Sequence, residues 1–176
     1  MIYFSDFAAG GGGLTIPATY QAVGGGTFST SAFASKGLIV DVLANVEIGS
    51  IDIAINDDPG SDTYKIVIAL LNASNVITSI LGTSPVQAVT TETTYTFTLA
   101  SRAAASAGQR IAVILVRTDG AATAIARLAF RSTGITNNSQ FAHYGAVRYA
   151  SNNPTLGDNV LWDNSSAAFL TINYWR

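Results

Sequence analysis

Leu38-Ile39-Val40-Asp41-Val42-Leu43-Ala44-Asn45-Val46-Glu47-Ile48-Gly49-Ser50-Ile51-Asp52-Ile53-Ala54-Ile55 decides the fold class. From Leu38 to Ile48 every even position is apolar, while Asp41, Asn45 and Glu47 stand at odd positions. Side chains that alternate with a period of two belong to a half-buried β-strand or a strand pair. After Gly49-Ser50 the phase flips: Ile51, Ile53 and Ile55 are apolar, and Asp52 is polar. A one-residue phase change at a glycine predicts a bulge or a tight bend.

The same period continues outward. Asn56-Asp57-Asp58-Pro59-Gly60 has turn composition. Tyr64–Leu71 and Ile111–Val116 are apolar on both faces, as central strands are, and 75–81 and 85–89 read as short strands. Thr93–Leu99 alternates, with Tyr95, Phe97 and Leu99 inward and Thr94, Thr96 and Thr98 outward. Ser101–Gly108 is the one helix-like piece: a serine cap, three consecutive alanines and a closing glycine. Ala122–Phe130 alternates again. From Asn137 to Arg176 the chain is loop-rich and aromatic, with short strands expected near 140–149 and 167–174. About ten short strands and one short helix predict an all-β, two-sheet antiparallel β-sandwich, with the jelly roll as its leading version. No internal repeat or heptad points to a propeller, solenoid or coiled coil.

The N-terminal end differs. Residues 1–26 form a Gly-rich arm, with Tyr3, Phe4 and Phe7 ahead of Gly10–Gly13 and Gly24–Gly26, and 27–176 form the sandwich domain. Polyglycine is costly to order and has no side chain to pack. Such an arm is ordered where something holds it. A neighbouring subunit is the expected holder, with Tyr3, Phe4 and Phe7 as assembly contacts. The alternative is packing on the chain's own sheet.

Composition narrows the function. The chain has 176 residues, 48% of them hydrophobic, enough for one domain with a substantial core. Only 11% are Asp, Glu, Lys or Arg, against about 25% in an average soluble domain. Either neighbouring subunits cover much of the surface, or the surface is a neutral Ser/Thr/Asn/Gly one. A net charge of −2 without a basic stripe argues against nucleic acid as a partner. With no cysteine, disulfides and thiolate metal sites are excluded. The longest aliphatic runs are too short for a membrane helix, so no membrane insertion is expected. The first residues lack the basic and apolar regions of a secretory signal, so no export signal is expected.

From Thr94 to Tyr174 the chain resembles a jelly-roll β-sandwich module of the kind found in phage virion decoration and fibre proteins, and also in accessory domains of secreted proteins. The residues that carry the resemblance are Tyr-Thr-Phe-Thr-Leu (95–99), Ala-Gly-Gln-Arg-Ile-Ala-Val-Ile-Leu (107–115), Trp162-Asp163 and Ala-Ala-Phe-Leu-Thr-Ile (167–172). They cover less than half of the chain, and no binding residue carries over, because such modules bind different things. The resemblance implies a virion protein: an exterior capsid decoration (cement) subunit or a compact, tail-fibre-like component. It also implies a homotrimer that contacts other virion proteins, such as the major capsid protein.

Catalysis is not expected. His143 is the single histidine; it shares parity with Phe141, Val147 and Tyr149, and it reads as a structural histidine in an aromatic strand. Glu47 and Glu92 are the only glutamates, and most aspartates lie in turn-like segments, which favour Asp for backbone reasons. No cofactor is implied. Asp57, Asp58 and Asp62 crowd one loop and are the candidate calcium ligands, although the loop lacks EF-hand spacing and also reads as an ordinary acidic turn. The alternative function is carbohydrate or host-receptor binding. Tyr144, Tyr149, Trp162 and Asp163 would form an aromatic platform with polar neighbours for a host glycan. The same aromatics could instead plug one end of the sandwich.

Overall fold

Thirteen strands are seen in a computed structural model of the protein, which describes residues 18–21, 35–55, 62–91, 93–118, 130–131, 140–149, 153–163, 167–168 and 170–175. They are β1 (Ala18–Gln21), β2 (Ser35–Val42), β3 (Val46–Ile55), β4 (Asp62–Leu71), β5 (Ile77–Thr83), β6 (Gln87–Val89) and β7 (Thr93–Ala105). After these come β8 (Arg110–Arg117), β9 (Phe130–Arg131), β10 (Phe141–Tyr149), β11 (Leu161–Asp163), β12 (Ala167–Ala168) and β13 (Leu170–Trp175). Among the described residues there is no helix.

Two antiparallel sheets pack face to face as a β-sandwich. The smaller has the order β1-β13-β3-β7, and the larger β11-β10-β2-β8-β4-β5, with β6 also paired to β4. β9 and β12 form a separate two-stranded piece. The chain crosses between the sheets from β1 to β2, from β2 to β3, from β3 to β4, from β6 to β7 and from β7 to β8.

Period two explains the core. On β13, Leu170, Ile172 and Tyr174 are buried and face Ile48, Ile51 and Ile53 of β3 and Phe97 of β7 in one cluster. The larger sheet closes that cluster with Leu38, Val40 and Val42 of β2, Tyr64, Ile66 and Ile68 of β4, and Ile111, Val113 and Leu115 of β8. The intervening residues of the same strands are buried too. Ile39, Val67, Ala69, Leu71, Ala112, Ile114 and Val116 form a second cluster with Ile77, Val147 and Val160 on the far side of the larger sheet. This is why Ile66–Leu71 of β4 and Ile111–Val116 of β8 read as unbroken apolar runs: both of their faces are covered.

The phase flip at Gly49 is a β-bulge. The register shifts between Ile48 and Ser50 against β7, and between Asn173 and Tyr174 against β13. Ile48 and Ile51 therefore both point into the core.

Two expectations are corrected. The helix over Ser101–Gly108 does not form; β7 runs through to Ala105, and Ile48, Glu47 and Val46 of β3 pair with Ala103, Ala104 and Ala105. Ala103 and Ala105 are buried while Ala104 is exposed, so strand pairing overrides the helix preference of alanine. The strand ends in a turn where Gly108 takes φ +84°, a left-handed conformation that glycine adopts without strain. The second correction concerns β10. Its register shifts between His143 and Gly145, opposite Val40 and Ile39, so Tyr144 is an extra residue. Phe141 therefore packs between the sheets, whereas Val147 belongs to the far-side cluster. His143 and Val147 do not share a face.

Ala18–Gln21, within the Gly-rich arm, is the edge strand of the smaller sheet, paired antiparallel with β13. Tyr3, Phe4 and Phe7 lie outside the described residues.

Candidate functional site

The bulge in β10 builds the best-defined polar cluster. A bulge re-aims one side chain, and here Tyr144 packs half-buried against the far-side cluster of the larger sheet. The Arg110 guanidinium lies over its ring, 3.2 Å from the centroid, in cation–π geometry. Arg110 opens β8 directly opposite Asp41 of β2. Its Nε donates to Asp41 Oδ1 at 2.7 Å, its Nη2 to Oδ2 at 3.4 Å, and its Nη1 to Asn75 Oδ1 at 3.1 Å. Partial burial works against the Arg110 charge, but Asp41 and then Tyr144 outweigh it, and the guanidinium is held above its usual pKa.

Asn75 reaches Arg110 because of its backbone. It has φ +60°, a conformation asparagine tolerates better than most residues. Asn72 frames the turn: its Oδ1 accepts from the Ser74 and Val76 amides at 2.9 and 3.1 Å. A second loop is laced to this turn. The Ile77 amide donates to Asp158 O, the Gly157 amide to Ile77 O, and the Val160 amide to Asn75 O. Asn159 Nδ2 donates to Ser74 O at 2.9 Å. Asp158 Oδ2 accepts from the Thr155 amide and hydroxyl, which closes the loop on itself. Beside the Asp41–Arg110 pair lies an open cleft of about 540 Å³, lined also by Leu70, Leu71, Asn72, Ala73, Gly108 and Gln109.

The pairing of β10 with β11 sets Asp163 opposite Ala146 and Leu161 opposite Val147. The backbone of Trp162 is thus brought to the sheet edge beside Ala146 and Val147. Tyr149 lies farther along β10, opposite Ser35. The side chains of Tyr149, Trp162 and Asp163 lie outside the described residues. Of the four proposed platform residues, only Tyr144 has described surroundings, and its partners Arg110, Asp41 and Asn75 carried no motif in the sequence.

Asp62, one of the three candidate calcium ligands, accepts from Arg117 Nη2 at 2.6 Å and from the Tyr64 hydroxyl at 3.0 Å. Asp57 and Asp58 lie outside the described residues. Among the described residues, no group of three or more His, Cys, Asp or Glu is placed to hold a metal ion.

A second aromatic site, not singled out in the sequence, is built around Trp175 on the outer side of the smaller sheet. Arg102 lies 4.1 Å from its ring centroid and pairs with Glu47 at 3.1 Å. A hollow of about 330 Å³ beside it is lined by Asn45, Val46, Glu47, Ala104, Ala105 and Ser106. The available signal was Gly49, whose missing side chain makes room for the indole.

No family model and no curated protein sequence matches the chain. The fold is similar to solved structures. One is the clostridial cysteine protease Cwp84 after propeptide cleavage, with a TM-score of 0.60 at 13% identity, covering 90% of this chain and 40% of that one. Another contains the cysteine protease and lectin-like domains of Cwp84, a surface-layer-associated protein of Clostridium difficile, with a TM-score of 0.56 at 12% identity, covering 90% of this chain and 36% of that one. The chain therefore spans well under half of the length of these structures, and at such identities the likeness concerns the fold alone. The chain has no cysteine, so it lacks the nucleophile of a cysteine protease.

Proposed function

We propose that the protein is a non-catalytic assembly module, a virion structural protein of the exterior decoration or compact fibre-like kind, acting through subunit contacts. The observation that carries this reading is where the charge is placed. Charged residues are only 11% of the chain, and the three described ion pairs each join neighbouring strands within a sheet: Asp41 to Arg110, Asp62 to Arg117 and Glu47 to Arg102. These side chains act as struts, and a surface with few charges does little to oppose association. The virion setting rests on the resemblance of the 95–99, 107–115 and 167–172 segments to phage modules. Protein mass spectrometry of washed virus particles recovered from the source of the chain tests it. The protein is expected as a stoichiometric particle component, and its absence overturns the reading.

A second reading is favoured by the Tyr144–Arg110–Asp41–Asn75 cluster and its adjoining cleft: carbohydrate or host-receptor binding. Fixed, planar polar groups beside an open cleft suit the hydroxyls of a sugar. The fold's likeness to a protein that contains a lectin-like domain is in keeping with this. On a glycan array, binding should be lost in Arg110→Lys and Trp162→Ala with the fold retained. Failure to bind any glycan removes this reading.

A further inference from the structure

We infer that β1 is an exchangeable strand, and that in the assembled protein the side of β13 that β1 covers is filled by the β1 strand of a second copy of this chain. The inference builds on the assembly reading and assigns its contact to main-chain pairing at one sheet edge.

The position of β1 is the first argument. It ends the order of the smaller sheet, so among the described residues β13 is its one hydrogen-bonded neighbour there. The pairing is short: Ala18 opposite Tyr174, Thr19 opposite Asn173, Tyr20 opposite Ile172 and Gln21 opposite Thr171. On its other side, β13 pairs with β3 over six residues, Leu170 to Trp175. The inner strands of the smaller sheet are thus tied more extensively than its first.

The connection is the second argument. Between β1 and β2, residues 22–34 intervene, and β2 belongs to the other sheet. Packed sheets lie about 10 Å apart, and a chain of this length reaches about 45 Å when extended. The covalent link therefore does not confine β1 to its own sheet. Other crossings between the sheets are short. Three residues, Leu43–Asn45, join β2 to β3, six, 56–61, join β3 to β4, three, 90–92, join β6 to β7, and four, Ser106–Gln109, join β7 to β8.

A β13 without β1 exposes a row of backbone donors and acceptors, and an open edge of this kind recruits a strand. The β1 of a second copy has the same sequence and restores the same register, so exchange loses no contact. Effective concentration then decides between the two arrangements, and only in a packed assembly does a neighbour's β1 compete with the tethered one.

The absence of cysteine gives a clean test. Gln21 and Thr171 stand opposite each other in the register of β1 and β13. The full-length Gln21→Cys and Thr171→Cys single variants are mixed, refolded together and oxidised, each alone serving as control. The double variant is oxidised in parallel, and light scattering gives the size of each sample. A disulfide-linked band at twice the chain mass, seen in the mixture and absent from both controls, is the expected result. A double variant that closes only within one chain, in a sample that scatters as an oligomer, overturns exchange and leaves the assembly reading intact. Closure within one chain and a monomer at every concentration overturns both. Should this pair impair folding, Thr19→Cys with Asn173→Cys reports on the same register.

Discussion

Trp175 lies against Gly49, with its indole ring in the space that a β-carbon on residue 49 would take. Gly49 is the bulge of β3, and Trp175 ends β13 opposite Glu47. Arg102 covers the ring at 4.1 Å. One glycine thus produces both the phase flip in β3 and the seat of the indole. Gly49→Ala displaces the ring and its guanidinium partner, at an expected cost of about 1–3 kcal/mol. Urea denaturation followed by tryptophan fluorescence measures it. In a Trp175→Leu background the same substitution should cost much less; an equal loss in both backgrounds refutes the seat.

Gly37 meets a harder obstacle. A β-carbon there would overlap the main-chain carbonyl oxygen of Val113, on the strand that pairs with β2. An indole can swing aside, but a central strand cannot shift without breaking its ladder. Gly37→Ala is expected to cost more than Gly49→Ala, on the order of 3 kcal/mol or more. Thermal unfolding of the two variants ranks them, and the reverse order contradicts the argument.

The ion pairs should differ in worth by their burial. The Arg117 and Asp62 side chains are 11% and 18% exposed, and the pair is closed at 2.6 Å. Removal of Arg117 leaves a largely buried carboxylate, so Arg117→Met should cost about 2–4 kcal/mol. Arg102 and Glu47 are each 50% exposed, and Glu47→Gln should cost less than about 1 kcal/mol. Chemical denaturation at low and high salt separates the two, because only the exposed pair is strongly screened.

Ser84 fills a gap beside β4. It lies between β5 and β6, both of which pair with β4, and it continues their ladder. Its Oγ accepts from the Ile66 amide at 2.9 Å, and its own amide donates to Ile66 O at 3.0 Å. Ser84→Ala leaves the buried Ile66 amide without that acceptor, at a cost of about 1–3 kcal/mol. Hydrogen exchange at the Ile66 amide should accelerate with the loss of stability; unchanged exchange argues against the role.

Tyr95 should give stability a dependence on alkaline pH. The Thr91 hydroxyl and main chain, and then the Thr90 amide, hydrogen-bond to its phenol oxygen. Together they outweigh the effect of desolvation and hold its pKa below the usual tyrosine value of 10.0. A group whose pKa is lower in the folded than in the unfolded chain stabilises the fold as pH rises through the folded value. The gain is complete above the unfolded pKa and is lost as pH falls through the folded one. Unfolding of wild type and Tyr95→Phe from neutral to alkaline pH should show a stability difference that grows with pH, and a flat difference removes the claim.

Much of the fold was legible because period two is a local property. The alternation in 38–55 and 93–99 placed strands and buried faces, and Gly49 announced its bulge. Alanine content misled in one place: the run Ala103-Ala104-Ala105 favours helix in isolation, yet it pairs with β3. Of the site, the sequence offered Tyr144, Tyr149, Trp162 and Asp163 as aromatic and polar residues in one loop-rich zone. Nothing along the chain joined Tyr144 to Arg110.

By itself, then, the sequence determined an all-β sandwich, the two doubly buried strands β4 and β8, the absence of thiol chemistry and a charge-poor composition. The tertiary structure decided which strands are neighbours, where the Tyr144 bulge reverses the parity of β10, and that 18–21 closes the edge of β13. It also decided the partners of every described strut. The physical reason is distance along the chain. Arg110 meets Asp41 across 69 residues and Asn173 meets Ser50 across 123, and a local pattern carries no information about which remote strand will stand opposite.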